Sequence, residues 1–275
     1  MSGRIESNGV VHTAGAPVTE PYSTRQAQIF GEDPSLYDRF RPGYPRALME
    51  AIVADTTDRP VLEIGAGTGK ATKALLALGK RVHALEPDTR MAALLQLACG
   101  PGLVALDHVD LEEAVLPPAS FDVALAAQAW HWVDPTIGYD VVADALVPNG
   151  RLALVWHHPR RDQGLVGEAM KQLYARLVPH MAEVWPGMKA SDFDPAAEPI
   201  AANVRFAGWT RLEHRWTRRL DAPSLIGWLC SNSDHRLLDV DVRSELMSAV
   251  AALVGELGGA VTVKMTTVAH VAQRV

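Results

Sequence analysis

Apolar and polar positions alternate along residues 59–158 with two different periods. Short runs of Val, Leu, Ile and Ala are separated by longer segments whose apolar residues recur every three to four positions. The short runs predict buried strands, and the longer segments predict amphipathic helices. The predicted strands are 59–65, 81–87, 103–110, 121–128 and 150–158. Strands separated by helices favour a parallel sheet with helices on both faces.

The last third of the chain continues the sheet with a different pattern. In residues 209–220 and again in 260–273, apolar and polar residues alternate with the period of two that is typical of strands. The segment 244–257 between them carries a helical apolar stripe that ends at a glycine pair. Two late strands around one helix bring the total to seven. We therefore predict an α/β fold of three layers around a Rossmann-like seven-stranded sheet.

Composition and turn residues divide the chain into segments. Residues 1–23 are rich in Gly, Ala, Ser, Thr and Pro and show no periodicity, which predicts a flexible leader. We interpret the remainder, 24–275, as a single domain. Within it we expect a helical lid, a cofactor-binding core, a substrate cap inserted between strands, and C-terminal strands with a helix, at 24–55, 56–159, 160–205 and 206–275.

The first strand runs into a glycine loop, "VLEIGAGTGK" at residues 61–70. Such loops usually bind phosphate through backbone N–H groups. Glu63, however, lies two residues before Gly65, the first glycine, and its carboxylate would repel a phosphate. We therefore expect a ligand whose nearby end carries an ammonium group.

Three acids follow the first three strands: Glu63, Glu86 and Asp110. The carboxyl ends of parallel strands meet at one edge of the sheet, so these acids are expected to surround one ligand. A carboxylate after the second strand can accept hydrogen bonds from both ribose hydroxyls, and Asp110 can accept from the exocyclic amine of adenine. S-adenosylmethionine combines adenine, ribose, an ammonium and a sulfonium, and it fits this set of acids.

These motifs resemble those of the class I S-adenosylmethionine-dependent methyltransferases. The family's E/D-x-G-x-G-x-G motif is matched by Glu63, Gly65, Gly67 and Gly69, and its ribose and adenine acids by Glu86 and Asp110. Residues 121–134 are similar to its fourth strand and the turn after it. Residues 37–45 are similar to a lead-in of one bacterial small-molecule branch. The resemblance covers residues 25–160 well and the remainder in outline.

The resemblance implies the sheet order 3-2-1-4-5-7-6 and methyl transfer from S-adenosyl-L-methionine, with S-adenosyl-L-homocysteine as the product and no metal. The residues expected to bind the cofactor lie in the lid, in the glycine loop and at the strand ends: Tyr37, Arg41, Glu63, Gly65, Ala66, Gly67, Gly69, Glu86, Pro87, Met91, Asp110, Leu111 and Gln128.

A nicotinamide oxidoreductase is the competing interpretation of the glycine loop. The spacing of Gly65, Gly67 and Gly69 is G-x-G-x-G, so the third glycine comes one residue early for the dinucleotide fingerprint G-x-G-x-x-G. Glu63 would also oppose a pyrophosphate.

Methyl transfer requires alignment of the nucleophile, the methyl group and the sulfur, and a phenol, hydroxyl or ring-carbon acceptor also needs a base. His131 follows the fourth strand and is a candidate for the base or for orienting the acceptor. His157 and His158 end the fifth strand, where alternation directs one of them into the cleft. Tyr37 and Arg41, four residues apart on one helix face, can close over the methionine tail. We expect catalytic roles for His131, His158 and Tyr37.

The acceptor is predicted less directly. The segment "QAWH" stands where the family's N/D-P-P-Y/F motif would follow the fourth strand, which by resemblance argues against DNA bases. The net charge of −6 also argues against nucleic acid. Tryptophans in the last third favour an apolar pocket for an aromatic small molecule. The expected substrate-binding residues are Trp130, His131, His157, Trp185, Trp216, Arg218 and Trp228.

We predict a cytoplasmic methyltransferase that acts on an aromatic or heteroaromatic specialised metabolite at an oxygen, nitrogen or carbon atom. The 2 cysteines form no disulfide framework, and no apolar run is long enough to cross a membrane. Monomer and homodimer both stay open. The alternatives are a protein or RNA methyltransferase, which for RNA should show a basic rim on the cleft, and a binding module without turnover.

Overall fold

A computed structural model describes residues 30–160, 164–182 and 203–275. It contains a seven-stranded sheet of order β3-β2-β1-β4-β5-β7-β6, which confirms the predicted fold class and strand order. The first five strands are parallel, and β7 runs antiparallel to both β5 and β6. The strands are β1 Val61–Ile64, β2 Val82–Leu85, β3 Leu103–Asp107, β4 Phe121–Ala127, β5 Leu146–Pro159, β6 Phe206–Asp221 and β7 Ala260–Arg274.

Helices connect the strands and cover both faces of the sheet. They are α1 Pro34–Phe40, α2 Arg46–Ile52, α3 Lys70–Leu76, α4 Thr89–Cys99, α5 Pro135–Ala145, α6 Leu165–Leu177, α7 Ala222–Cys230, α8 Ser233–Arg236 and α9 Val240–Glu256. Short 3₁₀ turns at Leu111–Glu113 and Trp130–Trp132 follow β3 and β4.

Side-chain caps fix the points at which strands give way to helices. Asp88 accepts hydrogen bonds from the backbone N–H groups of Arg90 and Met91 at the start of α4. Asp134 caps α5 in the same way, and a proline occupies the first turn of that helix. Each cap holds the connection after its strand at the carboxyl edge of the sheet.

Three apolar clusters form the core. One face of the sheet packs against α5, through residues such as Leu62, Phe121 and Val142. The opposite face packs against α2, α3 and α4. The third cluster joins α6, α7 and α9 to β6 and β7. All four residues of β1 are buried, because this strand lies between β2 and β4 with helices above and below.

Two predicted elements differ in the structure. Strand β5 begins at Leu146, whereas the pattern predicted its start at residue 150, because Leu146 pairs with Phe121 directly after α5 ends at Ala145. Three helices, α7 to α9, connect β6 to β7 where one was predicted. The Asp221 cap and the break at Asn232 start the two extra helices.

The leader 1–23 and residue Trp185 of the predicted cap lie outside the described residues. The described part of residues 160–205 contains α6, which packs into the C-terminal cluster. No helix in the described ranges is long and apolar enough to span a bilayer.

Candidate active site

A cavity of about 840 Å³ opens at the carboxyl edge of the parallel strands. Its lining comes from the carboxyl ends of β1, β2 and β5 and from the residues that follow β1, β2, β3 and β4. The turn before α1, α1 itself and the segment around the start of α8 complete it. The strand order reverses between β1 and β4, which is the place where open α/β sheets bind their ligands.

The glycine loop after β1 brings backbone to the cavity surface. Gly65 and Gly67 both line the cavity and have left-handed φ angles of +63° and +59°. A Cβ atom on Gly65 would lie 2.6 Å from the Cβ of Ala129. A side chain at this position would therefore be strained in its backbone and would collide with the turn after β4.

Glu86, directly after β2, is a buried acid in the cavity lining. Its Oε2 accepts from the backbone N–H of Gly67 at 2.6 Å, and its Oε1 accepts from the N–H of Asp88 at 2.9 Å. Burial raises the pKa of Glu86 to about 7, against the lowering effect of these two hydrogen bonds. Each carboxylate oxygen keeps one lone pair for a ligand.

Glu63 does not line the cavity, which corrects the expectation that it meets the ligand. Its side chain is 1% exposed, and its Oε2 accepts from the Thr72 hydroxyl at 2.7 Å. Burial raises the pKa of Glu63 to about 8. Strand β1 is buried on both faces, and Glu63 points to the face that packs against α3. Its hydrogen bond to Thr72 links β1 to α3, the two elements that the glycine loop connects.

Four more of the predicted cofactor-binding residues lie at the same cavity. Pro87, Met91, Asp110 and Leu111 all line the cavity. Partial burial, followed by the neighbouring glutamates, raises the pKa of Asp110.

Two other predicted glycine-loop residues support the loop without lining the cavity. The N–H of Ala66 donates to the Leu85 carbonyl at 3.0 Å and ties β1 to β2. Gly69 begins α3 as its N-cap, with a φ of +86°. Both are therefore structural members of the motif.

The lid residues Tyr37 and Arg41 lie together at the cavity, as their spacing predicts. The Arg41 guanidinium lies 5.2 Å from the centre of the Tyr37 ring, and its Nη2 donates to the Ser231 carbonyl at 2.9 Å. This contact joins the lid to the chain between α7 and α8. Gln128 lines the cavity from the other side, with a φ of +60° after β4.

The turn Trp130–Trp132 divides its aromatic residues between cavity and core. His131 and Trp132 line the cavity, and their rings lie 4.7 Å apart. Trp130, expected to bind substrate, is instead 4% exposed and donates to the Tyr139 hydroxyl at 3.2 Å in the core. Burial, and then the charge of Arg41, lower the pKa of His131 to about 4, so the imidazole is neutral at pH 7.

His157 and His158 both line the cavity, whereas strand alternation predicted only one of them there. The His157 ring stacks on Tyr44 at 4.5 Å, and its Nδ1 hydrogen-bonds with the Thr267 hydroxyl at 2.8 Å. Burial is the main cause that lowers the pKa of His157 to about 3.

Trp216, Arg218 and Trp228 do not line the cavity, which corrects their predicted contact with substrate. Trp216 donates from Nε1 to Thr267 at 2.9 Å. Arg218 donates to the Phe40 carbonyl at 3.2 Å, and its guanidinium lies 5.6 Å from the Trp228 ring. Arg218 and Trp228 thus attach the end of α1 to the C-terminal cluster, and Trp216 joins β6 to β7.

The sequence-based prediction missed several lining residues, including Trp132, Trp156, Asn232, Ser233 and Asp234. Trp156 could have been inferred, because it precedes the two histidines on the same strand. The polar run "SNSD" at 231–234 predicts a break between helices. Its sequence does not indicate that this segment lines the cavity at the carboxyl ends of β1 and β2.

Comparison with known proteins agrees with the fold and the cavity. Residues 62–154 match the family described as a methyltransferase domain. The chain is 34% identical over 224 residues to uncharacterized methyltransferases of Mycobacterium tuberculosis and Mycobacterium bovis, covering 82% of this chain and 84% of theirs.

Solved structures give the same picture. A protein of Anaeromyxobacter dehalogenans described as a type II methyltransferase is 26% identical, with a TM-score of 0.60, and the match covers 86% of this chain and 97% of that one. The YcgJ protein of Bacillus shares the fold. It is 17% identical, with a TM-score of 0.51, and the match covers 83% of this chain and 97% of that one. The chain therefore belongs to the class I S-adenosylmethionine-dependent methyltransferase family.

Proposed function

We propose that this protein transfers a methyl group from S-adenosylmethionine to a small molecule with an aromatic or heteroaromatic ring. The arrangement of Glu86 is the observation that carries the cofactor assignment. Both of its oxygens are fixed by backbone N–H groups at the surface of a cavity of about 840 Å³. A carboxylate fixed in this way is oriented to accept from two adjacent hydroxyls of a ribose.

The rest of the cavity fits the same ligand. Asp110 and Met91 line the same cavity as Glu86, which supports a contact with the adenine of the same ligand. Gly65 and Gly67 leave room for a ligand to approach the backbone. The lining contains the acids Glu32, Glu86, Asp88, Asp110, Glu112 and Asp234, and two arginines, Arg41 and Arg90. An excess of acids favours a ligand with net positive charge.

The diphosphate of a nicotinamide dinucleotide fits the glycine loop less well than S-adenosylmethionine does. The N–H of Gly67, which a phosphate oxygen would need, already donates to the Glu86 carboxylate at 2.6 Å. A phosphate in this position would lose that donor and would lie beside a carboxylate. This observation supports a methyl donor over a nicotinamide dinucleotide.

The part of the cavity lined by β5 and the turn after β4 supports an aromatic acceptor. His131, Trp132, Trp156 and His157 supply rings to the lining, and the charge of Arg41 acts on both histidines. Flat apolar surfaces with a few polar groups are typical of sites for small aromatic ligands. The acidic lining also disfavours RNA, whose phosphates need basic residues.

Bound S-adenosylmethionine would supply the electrophilic methyl group on its sulfonium. The chain itself would orient the two ligands: Glu86 and Asp110 hold the nucleoside, Tyr37 and Arg41 hold the methionine end, and His131 contacts the acceptor. Alignment of this kind can account for most of the rate of a displacement at carbon.

Calorimetric titration of the purified protein with S-adenosylmethionine, S-adenosylhomocysteine and NAD tests the cofactor assignment. We expect saturable binding of the first two and none of NAD. Glu245→Ala, an exposed acid on α9, serves as a control that should bind like the natural protein. Binding of NAD without binding of S-adenosylmethionine would overturn the proposal.

A further inference from the structure

Trp156 and His131 contact each other at the cavity surface. Trp156 lies near the end of β5 and is 5% exposed, and His131 lies in the turn after β4. The indole Nε1–H of Trp156 donates to Nδ1 of His131 across 3.4 Å, a long but directed hydrogen bond. Both residues line the cavity.

The direction of this hydrogen bond determines where the imidazole carries its proton. An indole nitrogen can only donate, so Nδ1 of His131 must present its lone pair to Trp156. A neutral imidazole has one N–H, which in this arrangement is on Nε2. The opposite tautomer would place two N–H groups against each other. The neutral state itself is favoured by burial and by the charge of Arg41, which lower the pKa of His131.

We propose that Trp156 is a positioning residue that holds His131 as the Nε2–H tautomer, so that His131 acts on the methyl acceptor as a hydrogen-bond donor. The proposal rests on the proposed function for the identity of the ligand, and it chooses between the two roles, base and orienting group, that the sequence leaves open. With Nδ1 engaged and Nε2 protonated, the ring has no lone pair for a proton of the acceptor.

This assignment restricts the chemistry of the acceptor. The atom that meets His131 must itself have a lone pair to accept a hydrogen bond, such as a carbonyl oxygen, a deprotonated oxygen or a ring nitrogen. The ring orients this atom, and the protein does not use His131 to remove its proton.

Nitrogen-15 NMR of the histidine side chains tests the tautomer directly, in the free protein and with S-adenosylhomocysteine as the probe. The His131 signals are assigned by their loss in His131→Gln. We expect the protonated nitrogen to be the one coupled to both carbon-bound ring protons, which identifies Nε2. A protonated Nδ1 in the natural protein would overturn the proposal.

Trp156→Phe tests the role of the indole. Loss of the donor should allow both tautomers, so the shifts of the two His131 nitrogens should move toward each other. Trp209→Phe is the matched control, because Trp209 does not line the cavity. Its side chain is 38% exposed, and the centre of its ring lies 5.6 Å from that of His270. It should leave the His131 shifts unchanged. If Trp156→Phe also leaves them unchanged while circular dichroism shows a native fold, the indole does not set the tautomer.

The two proposals fail in different ways in this experiment. Calorimetry on the same samples reports whether S-adenosylhomocysteine binds at all, which tests the proposed function. The nitrogen shifts report the tautomer whether or not the probe binds, so a wrong tautomer with intact binding contradicts only this inference.

Discussion

Glu86→Ala is expected to weaken cofactor binding severely while leaving the fold intact. In the structure each oxygen of Glu86 already accepts one backbone N–H, from Gly67 or Asp88, and keeps one lone pair for a ribose hydroxyl. Removal of the carboxylate therefore removes two hydrogen bonds to the ligand, both to a charged acceptor.

The magnitude follows from these two bonds. A hydrogen bond to a charged group contributes about 1.5–3 kcal/mol, so the loss of two should cost about 3–4 kcal/mol after water replaces part of each interaction. This corresponds to a Kd for S-adenosylhomocysteine that is about 100- to 1,000-fold higher. Isothermal titration calorimetry measures the change, and thermal unfolding by circular dichroism checks the fold.

The pH dependence of cofactor binding is a second test of the role of Glu86. Burial raises the pKa of Glu86 to about 7, so below that pH the free protein must lose a proton before it can present two acceptors. The affinity of the natural protein should therefore fall as the pH is lowered from 8 to 6, approaching about tenfold per pH unit. Glu86→Gln should bind weakly at every pH. Tight, pH-independent binding by Glu86→Ala would refute the assignment of this residue to the ribose.

Three further predictions concern other parts of the site. Because burial raises the pKa of Glu63 to about 8, the folded chain holds a proton that the unfolded chain has lost. Glu63 alone should therefore make the free energy of unfolding fall as the pH rises from 5 to 8, by an amount on the order of 4 kcal/mol. In urea titrations Glu63→Gln should remove this contribution and leave the one from Glu86, whose pKa is also raised. Gly65→Ala should destabilise the protein by about 1–3 kcal/mol and weaken cofactor binding, because of its positive φ and the 2.6 Å approach to Ala129. His131→Leu should lower kcat about tenfold, the effect of losing one hydrogen bond of about 1.5 kcal/mol, with an unchanged Kd for S-adenosylhomocysteine. His131→Gln, which keeps a donor, should lower it less.

Each of these predictions has its own control. Gly255→Ala, where an added Cβ meets nothing within 4 Å, should be neutral or slightly stabilising in the same urea titration. A pH slope of unfolding that is as steep in Glu63→Gln as in the natural protein would show that Glu63 does not hold the proton. Normal turnover by His131→Leu would remove His131 from the mechanism, and equal losses in the Leu and Gln variants would argue against its role as a donor.

The sequence predicts the site well where the site is local to the strand ends. Glu86 and Asp110 each follow a strand whose apolar pattern is clear, and parallel topology brings such positions to one edge whatever the details of packing. The positive φ of the glycine loop follows from the glycines themselves. This is why the cofactor half of the cavity resembles its prediction.

Side-chain direction is harder to predict than position. Glu63 lies on a strand buried on both faces, so its sequence context does not show whether it points to the ligand or, as found, to Thr72. Trp130 and His131 are adjacent, yet one enters the core and the other the cavity. Such choices depend on the volume left by neighbouring elements, which a local pattern does not contain.

Contacts between distant segments are not visible in the local pattern at all. Arg41 meets the Ser231 carbonyl from a position 190 residues away, and Arg218 meets Phe40 across 178 residues. The local pattern therefore predicts substrate contacts for Trp216 and Trp228. In the structure Trp216 bonds to Thr267 on β7, and Trp228 lies against Arg218, which bonds to the end of α1. The segment Asn232–Asp234 was missed for the same reason.

The most direct test of the account follows the methyl group itself. The protein is incubated with S-adenosylmethionine labelled in its methyl carbon and with fractionated bacterial extract, and mass spectrometry locates the label. We predict a labelled small molecule with an aromatic or heteroaromatic ring, absent with Glu86→Ala. Label found only in protein or RNA, or equal labelling by the natural protein and Glu86→Ala, would contradict the account.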